Sequence, residues 1–175
     1  MFYYDSKIKE FEQALDYDAL IKYLEEIICQ NPNKIIPTIV GYSWYFCVEG
    51  DVNVFPKQYN YEKYLNVWKK YIDIGIDKYI ENPVFDFIAG YSLCISGIYI
   101  DSYYGGYEQK GIELMNKCLE YSNGDTVGKL AQNFLLNEKS KKYKKLENGL
   151  VICKKLFNKG SLLDLYFWEI YAKSK

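Results

Sequence analysis

The chain contains no histidine and no arginine: all 22 of its basic side chains are lysine, set against 23 Asp and Glu. Without an imidazole there is no Ser-His or Cys-His nucleophile pair and no His-ligated zinc or haem. Without a guanidinium there is no arginine finger and no bidentate clamp on carboxylate, phosphate or guanine. The glycine-rich phosphate cradles Gly-x-x-x-x-Gly-Lys-Ser/Thr and Gly-x-Gly-x-x-Gly are also missing. Cys29, Cys47, Cys94, Cys118 and Cys153 are odd in number, widely spaced and form no Cys-x-x-Cys. That pattern argues against a disulfide framework and for free thiols packed as small core hydrophobes in a reducing cytoplasm. No cofactor, metal site or catalytic residue is expected from this inventory.

Long apolar runs are lacking too. The two longest uncharged stretches, Ile35 to Val48 and Phe87 to Ile100, hold 14 residues each, short of the roughly 20 that a membrane span needs. Both read as buried helices, and no membrane partner is expected. Met1 to Lys7 shows no basic segment followed by an apolar core, so export by a signal peptide is not expected either. Charge is mildly divided: residues 1–100 carry a balance of −5 and residues 101–175 one of +4, a poor footprint for direct nucleic-acid binding.

What the chain does have is size and apolar content. Its 175 residues are 49% hydrophobic, with 20 tyrosines, enough for a single helical domain over 1–175 with a core that needs no staples. Hydrophobic spacing follows the helical rule nearly throughout and never settles into strict alternation. The expectation is an all-α fold, a compact bundle of antiparallel helical hairpins with roughly seven or eight helices.

Local signals place those helices. A short amphipathic opening runs through Ile8, Phe11 and Leu15, and Asp16 or Asp18 caps a helix with Leu20, Leu24, Ile27 and Ile28 on one stripe. Asn31-Pro32 ends it, and Pro37 falls in the first turn of a buried segment over Lys34 to Cys47. An irregular connection from Glu49 to about Asn60 leads to the clearest amphipathic helix, Tyr61 to Tyr79. Asn82-Pro83 then reads as an N-cap and first helical residue. A second irregular connection, Asp101 to Gly106, precedes Tyr107 to Tyr121, and Asp125 caps the next helix. The penultimate helix is expected on Tyr143, Leu146, Leu150, Cys153 and Phe157, and Ser161 caps the last, after a break at Lys159-Gly160.

Binding residues concentrate on loops held by a rigid scaffold. The two irregular connections supply Glu49, Asp51 and Asp101 as exposed acids, and Tyr103 and Tyr104 as aromatic anchors with no periodic place to pack. These five are the candidate partner-binding residues. The remaining tyrosines sit at helical spacing beside Ile and Leu and read as core or boundary. Asp73 and Asp77, and the lysine run from Lys139 to Lys145, read as solvated charge.

Within residues 92–135, the run Tyr107-Glu108, Gly111-Ile112-Glu113-Leu114, Cys118-Leu119-Glu120, a turn at Asn123 to Asp125 and then Ala131 resembles the second helix and following turn of a tetratricopeptide repeat. Ala89-Gly90-Tyr91 is similar to that repeat's first helix. The Tyr-Glu pairs at 61–62 and 107–108 lie 46 residues apart, longer than the usual period of about 34. The chain as a whole resembles small helical cytoplasmic immunity proteins of bacterial polymorphic or contact-dependent toxin systems. It does so through Gly41-Tyr42-Ser43-Trp44-Tyr45-Phe46, through Phe87-Ile88-Ala89-Gly90-Tyr91 in the helix from Asn82-Pro83 to Tyr99, and through Leu156-Phe157 with Gly160 to Tyr166. That resemblance implies a non-catalytic protein whose partner is a cognate toxin domain, a nuclease among the candidates, blocked at its active site or substrate access. The repeat-like hairpin implies an alternative, an adaptor or chaperone holding a peptide or helix in a groove.

Overall fold

The computed structural model describes residues 1–49, 61–78, 81–100, 106–140, 146 and 148–172, and every regular element among them is helical. The order is α1 (Ser6–Ala14), α2 (Tyr17–Ile27), a 3-10 turn (Ile28–Gln30), α3 (Pro32–Trp44) running into a π-helical turn (Tyr45–Glu49), α4 (Tyr61–Lys78) and α5 (Pro83–Ile100). It continues with α6 (Tyr107–Ser122), α7 (Thr126–Ser140), α8 (Gly149–Leu156) and α9 (Leu162–Ala172). Among the described residues no helix is long and apolar enough to cross a membrane.

Short polar side chains start the helices by accepting orphan amides of the first turn. Asp5 accepts from the Ile8 amide, and Asp16, not Asp18, from that of Ala19. Asn82 accepts from Val84 and Phe85, and Asp125 from Val127 and Gly128. Ser161 accepts from Asp164, after Gly160 has turned the chain at φ +76°.

The helices form three successive hairpins, α2/α3, α4/α5 and α6/α7. α2 and α4 run parallel, because Asp18 meets Tyr64 while Glu25 meets Tyr71. α3 and α5 also run parallel: Asn33 meets Asn82 near their starts and Trp44 meets Ser96 near their ends. α6 is antiparallel to α5, with Gly111 against Gly90 and Cys94. The 46-residue offset between the Tyr-Glu pairs is thus the spacing of the starts of α4 and α6.

One proline explains how α3 and α5 are tied. α3 begins at Pro32, two residues earlier than the spacing suggested, which moves Pro37 from the first turn into the helix interior. Pro37 has no N–H to offer the carbonyl of Asn33, four residues back. That carbonyl accepts instead from Asn82 Nδ2 at 2.8 Å, while Asn82 Oδ1 caps α5. A single side chain therefore closes the gap in one helix and starts the other.

α9 lies across the α3–α5 pair. Its Phe167 packs on Phe87 and Tyr91, and Tyr166 on Trp44 and Tyr45. The N-terminal strand of chain is stitched beneath it: Phe2 is buried and stacks on Phe167, Tyr3 N–H donates to Thr38 Oγ1, and the Met1 amine donates to the Leu156 carbonyl.

Three expectations need correction. Leu15, placed on an apolar stripe, is 43% exposed and ends α1 in the left-handed region at φ 54°. α8 is shorter than expected: Leu146, Cys153 and Phe157 are buried as the spacing implies and Tyr143 lies outside the described residues, but Leu150 is 57% exposed, with Gly149 pressed against the Tyr171 carbonyl. Cys29 is exposed rather than core.

The close α5–α6 crossing yields a paired test. A Cβ on Gly90 would sit 2.9 Å from the Gly111 carbonyl oxygen, which is backbone and cannot yield. A Cβ on Gly41 would meet only the flexible tip of Leu163, at 2.8 Å. Alanine gains about 1 kcal/mol of helix propensity at either site, and overpacking costs about 1–3 kcal/mol. Chemical denaturation should show Gly90→Ala clearly destabilised and Gly41→Ala close to wild type.

Candidate functional site

The parallel course of α3 and α5 brings the C-terminal ends of both helices to the same end of the molecule. α3 and its π turn stop at Glu49, and α5 stops at Ile100. Trp44 Nε1 donates to Ser96 Oγ at 2.6 Å just before those stops. The residues that resume the chain, Tyr61 of α4 and Gly106-Tyr107 at α6, stand at this end too: Tyr64 packs on Phe46, and Cys94 Sγ reaches the Glu108 carbonyl. Tyr17, at the start of α2, joins them through its ring contact with Phe46 at 4.2 Å.

Of the candidate binding residues, Glu49 closes the π turn, and its side chain lies outside the described part of the structure. Asp51, Asp101, Tyr103 and Tyr104 also lie outside the described residues. The structure brings together the flanks from which they depart, and it adds residues that spacing alone did not select. Asp16, Asp18, Glu62 and Glu108 are exposed at this end, as are the apolar Leu15 and Tyr61. A signal was available for some of them, since Asp16 and Asp18 flank a helix start and Glu62 follows a connection.

The carboxylates here are held by phenols. Asp18 accepts from Tyr64 Oη at 2.7 Å and pairs with Lys63 Nζ at 2.8 Å. Burial works to raise the Asp18 carboxyl, but Lys63 and Tyr64 outweigh it and hold it below its ordinary value. Asp5 behaves alike: burial opposes, while the Ile8 amide and the Tyr23 and Tyr3 hydroxyls hold it low. Glu12 goes the other way. It accepts from Tyr42 Oη at 2.6 Å, Tyr4 Oη at 3.1 Å and the Leu162 amide at 2.9 Å. Deeper burial still outweighs these three donors, and its carboxyl is raised. Burial and then the Glu12 charge drive the Tyr42 hydroxyl well above its usual range, and the same two causes push Tyr4 up to about 12.

Glu12 therefore ties the end of α1 to α3 and to the start of α9, where a negative charge also suits the helix dipole. It positions the surface rather than forming it.

The opposite end holds a surface cleft of about 720 Å³ lined by Asn33, Lys34, Lys78, Glu81, Asn82, Pro83 and Val84. Its Asn82 side chain and Asn33 carbonyl are already committed to capping α5 and closing the Pro37 gap. Among the described residues no group of three or more Cys, Asp or Glu could hold a metal ion. Burial raises the Cys47 thiol to about 12 and the Cys153 thiol to about 11, which suppresses the nucleophilic thiolate at neutral pH.

Comparison with models of known protein families, with curated proteins and with solved structures gives no match.

Removing the Glu12 carboxylate would leave the Tyr42 hydroxyl and the Leu162 amide without their acceptor. Glu12→Ala should cost about 3 kcal/mol, and Tyr4→Phe, which leaves Glu12 two donors, about 1 kcal/mol. Urea unfolding of the two variants distinguishes these values.

Proposed function

We propose that this protein is an immunity protein: a non-catalytic binder in the bacterial cytoplasm that neutralises a cognate toxin domain by covering its active site or the path of its substrate. The observation that carries this reading is the parallel α3–α5 pair, which brings the ends of both helices together with exposed carboxylates and exposed apolar side chains at one end of a rigid helical body. Asp16, Glu62 and Glu108 offer negative charge around Leu15 and Tyr61, Asp18 being paired with Lys63, a pattern of charged rim and apolar anchors that favours a basic partner face. A nuclease domain has such a face, because it must hold a polyanion. Blocking by obstruction needs no nucleophile or general base, in keeping with a chain that owns neither histidine nor arginine.

The alternative, a groove that holds a peptide or helix, has less support. The face of α3 and α5 where a guest helix would lie is filled by the chain's own α9 through Phe167 and Tyr166.

The test is co-expression with the toxic domain encoded immediately upstream. Cells should survive with the wild-type chain and die without it. The double variant Glu62→Lys with Glu108→Lys, both exposed and neither of them a helix cap, should fold normally yet bind the domain at least about tenfold more weakly. Death at equal rates with and without the wild-type chain overturns the reading.

A further inference from the structure

α5 is an 18-residue helix with one charged side chain, Asp86, in its first turn. That residue is 1% exposed, and its Oδ2 is buried with no hydrogen-bond partner. Buried polar groups in native proteins are almost always paired, so an orphan carboxylate oxygen calls for an explanation.

The surroundings restrict the explanation. From α6, Lys117 and Cys118 face this turn: Lys117 is half-buried and its charge acts on Asp86, while the fully buried Cys118 thiol feels Asp86 and also Asp125 of the α6–α7 turn. From α4, Gly75 receives the ring of Phe85, the residue before Asp86. Four residues further along, Gly90 meets Gly111 backbone to backbone. That crossing and the Asn82 tie to the Asn33 carbonyl hold the two ends of the segment, so ionisation of Asp86 has to be accommodated between them, in residues 83–89. Lys117 forms no ion pair with Asp86, so the carboxyl is neither neutralised by a partner nor solvated by exposure.

We propose that the first turn of α5 is a proton-responsive latch, dry and seated against α6 while the Asp86 carboxyl is neutral, and opened to water or to the Lys117 ammonium once it ionises. Burial raises this carboxyl from 3.8 to about 7, with the Lys117 charge working in the opposite direction. The folded chain therefore holds the proton more tightly than the unfolded chain. The stability that this proton confers is complete below the unfolded value of 3.8 and is lost as pH rises toward and through about 7. Glu12, also raised by burial, contributes in the same direction, so a measurement specific to Asp86 is required. The latch sits at the Asn82 end, remote from the candidate docking residues, and stands independently of any partner.

The direct experiment is an NMR titration of the Asp86 carboxyl carbon in the full wild-type chain, with urea unfolding of wild type, Asp86→Asn and Lys117→Met across the same pH range. The Asp86 signal should turn over near neutrality, and at higher pH in Lys117→Met. The wild-type unfolding constant should rise by up to about tenfold per pH unit between roughly pH 5 and 7 beyond the change seen in Asp86→Asn. An Asp86 carboxyl that titrates near 4 with the exposed acids overturns the proposal, as does an Asp86→Asn variant with the pH dependence of wild type. Should Asp86→Asn fail to fold, the wild-type titration decides alone.

Discussion

The parallel registration of α3 against α5 is the constraint on which the rest of the molecule depends. It is pinned at one end by Asn82 donating to the Asn33 carbonyl and at the other by Trp44 donating to Ser96. Each bond is worth only about 1 kcal/mol net, and burial of Ile88, Ile39 and Trp44 supplies most of the adhesion. Direction is what the bonds add. Apolar packing tolerates a slide or a flip of one helix on another, whereas a carbonyl left open by Pro37 accepts a donor in one place. With that register set, the stops of α3 and α5 coincide, and the chain leaves both helices at the same end.

A second constraint shapes the polar interior. A chain without arginine or histidine has few rigid donors for half-buried carboxylates, and lysine is a flexible, strongly hydrated point charge. Tyrosine takes that part. Asp5 is met by Tyr3 and Tyr23, Glu12 by Tyr4 and Tyr42, Asp18 by Tyr64, and Glu25 by Tyr71. A phenol buries its ring in the core and delivers one directional O–H, so pairs such as Tyr23 with Asp5, Tyr42 with Glu12 and Tyr64 with Asp18 join two segments without bringing a second charge out of water. Asp164 accepts from the Lys159 amide instead, and Asp86 Oδ2 is buried with no partner.

Most of the fold was legible in the residues because its signals are local. Asn82-Pro83, Asp125 and Ser161 cap helices where their chemistry says they should, and the stripe Tyr64, Trp68, Tyr71, Ile72 and Gly75 is the buried face of α4. The errors fall where a distant partner decides. Pro37 suited a first turn until Asn82 made an interior place tolerable, and Leu150 fitted an apolar spacing until Gly149 was needed against Tyr171. Of the candidate site, the helix ends that flank it could be recognised from glycine, proline and broken periodicity. Their convergence could not, since helix direction is written in pairs such as Asn33 with Asn82 rather than in either segment. The grouping of Leu15, Asp16, Asp18 and Tyr61 was hidden for the same reason.

These features compose a rigid body whose two ends differ, with further exposed apolar side chains at Leu150 and Val151 of α8. The α3–α5 face is closed by α9, the Asn82 end is knitted by its own caps, and the Trp44 end carries exposed acids and apolar side chains. The claim that this end is where the protein meets its partner is tested most directly by hydrogen-exchange footprinting of the full chain, alone and bound to the toxin domain proposed as that partner. The account predicts new protection in residues 15–18, 45–49, 61–64 and 106–108, with the cleft around Asn33, Lys78 and Asn82 unchanged. Protection confined to that cleft, or to α8, would contradict it.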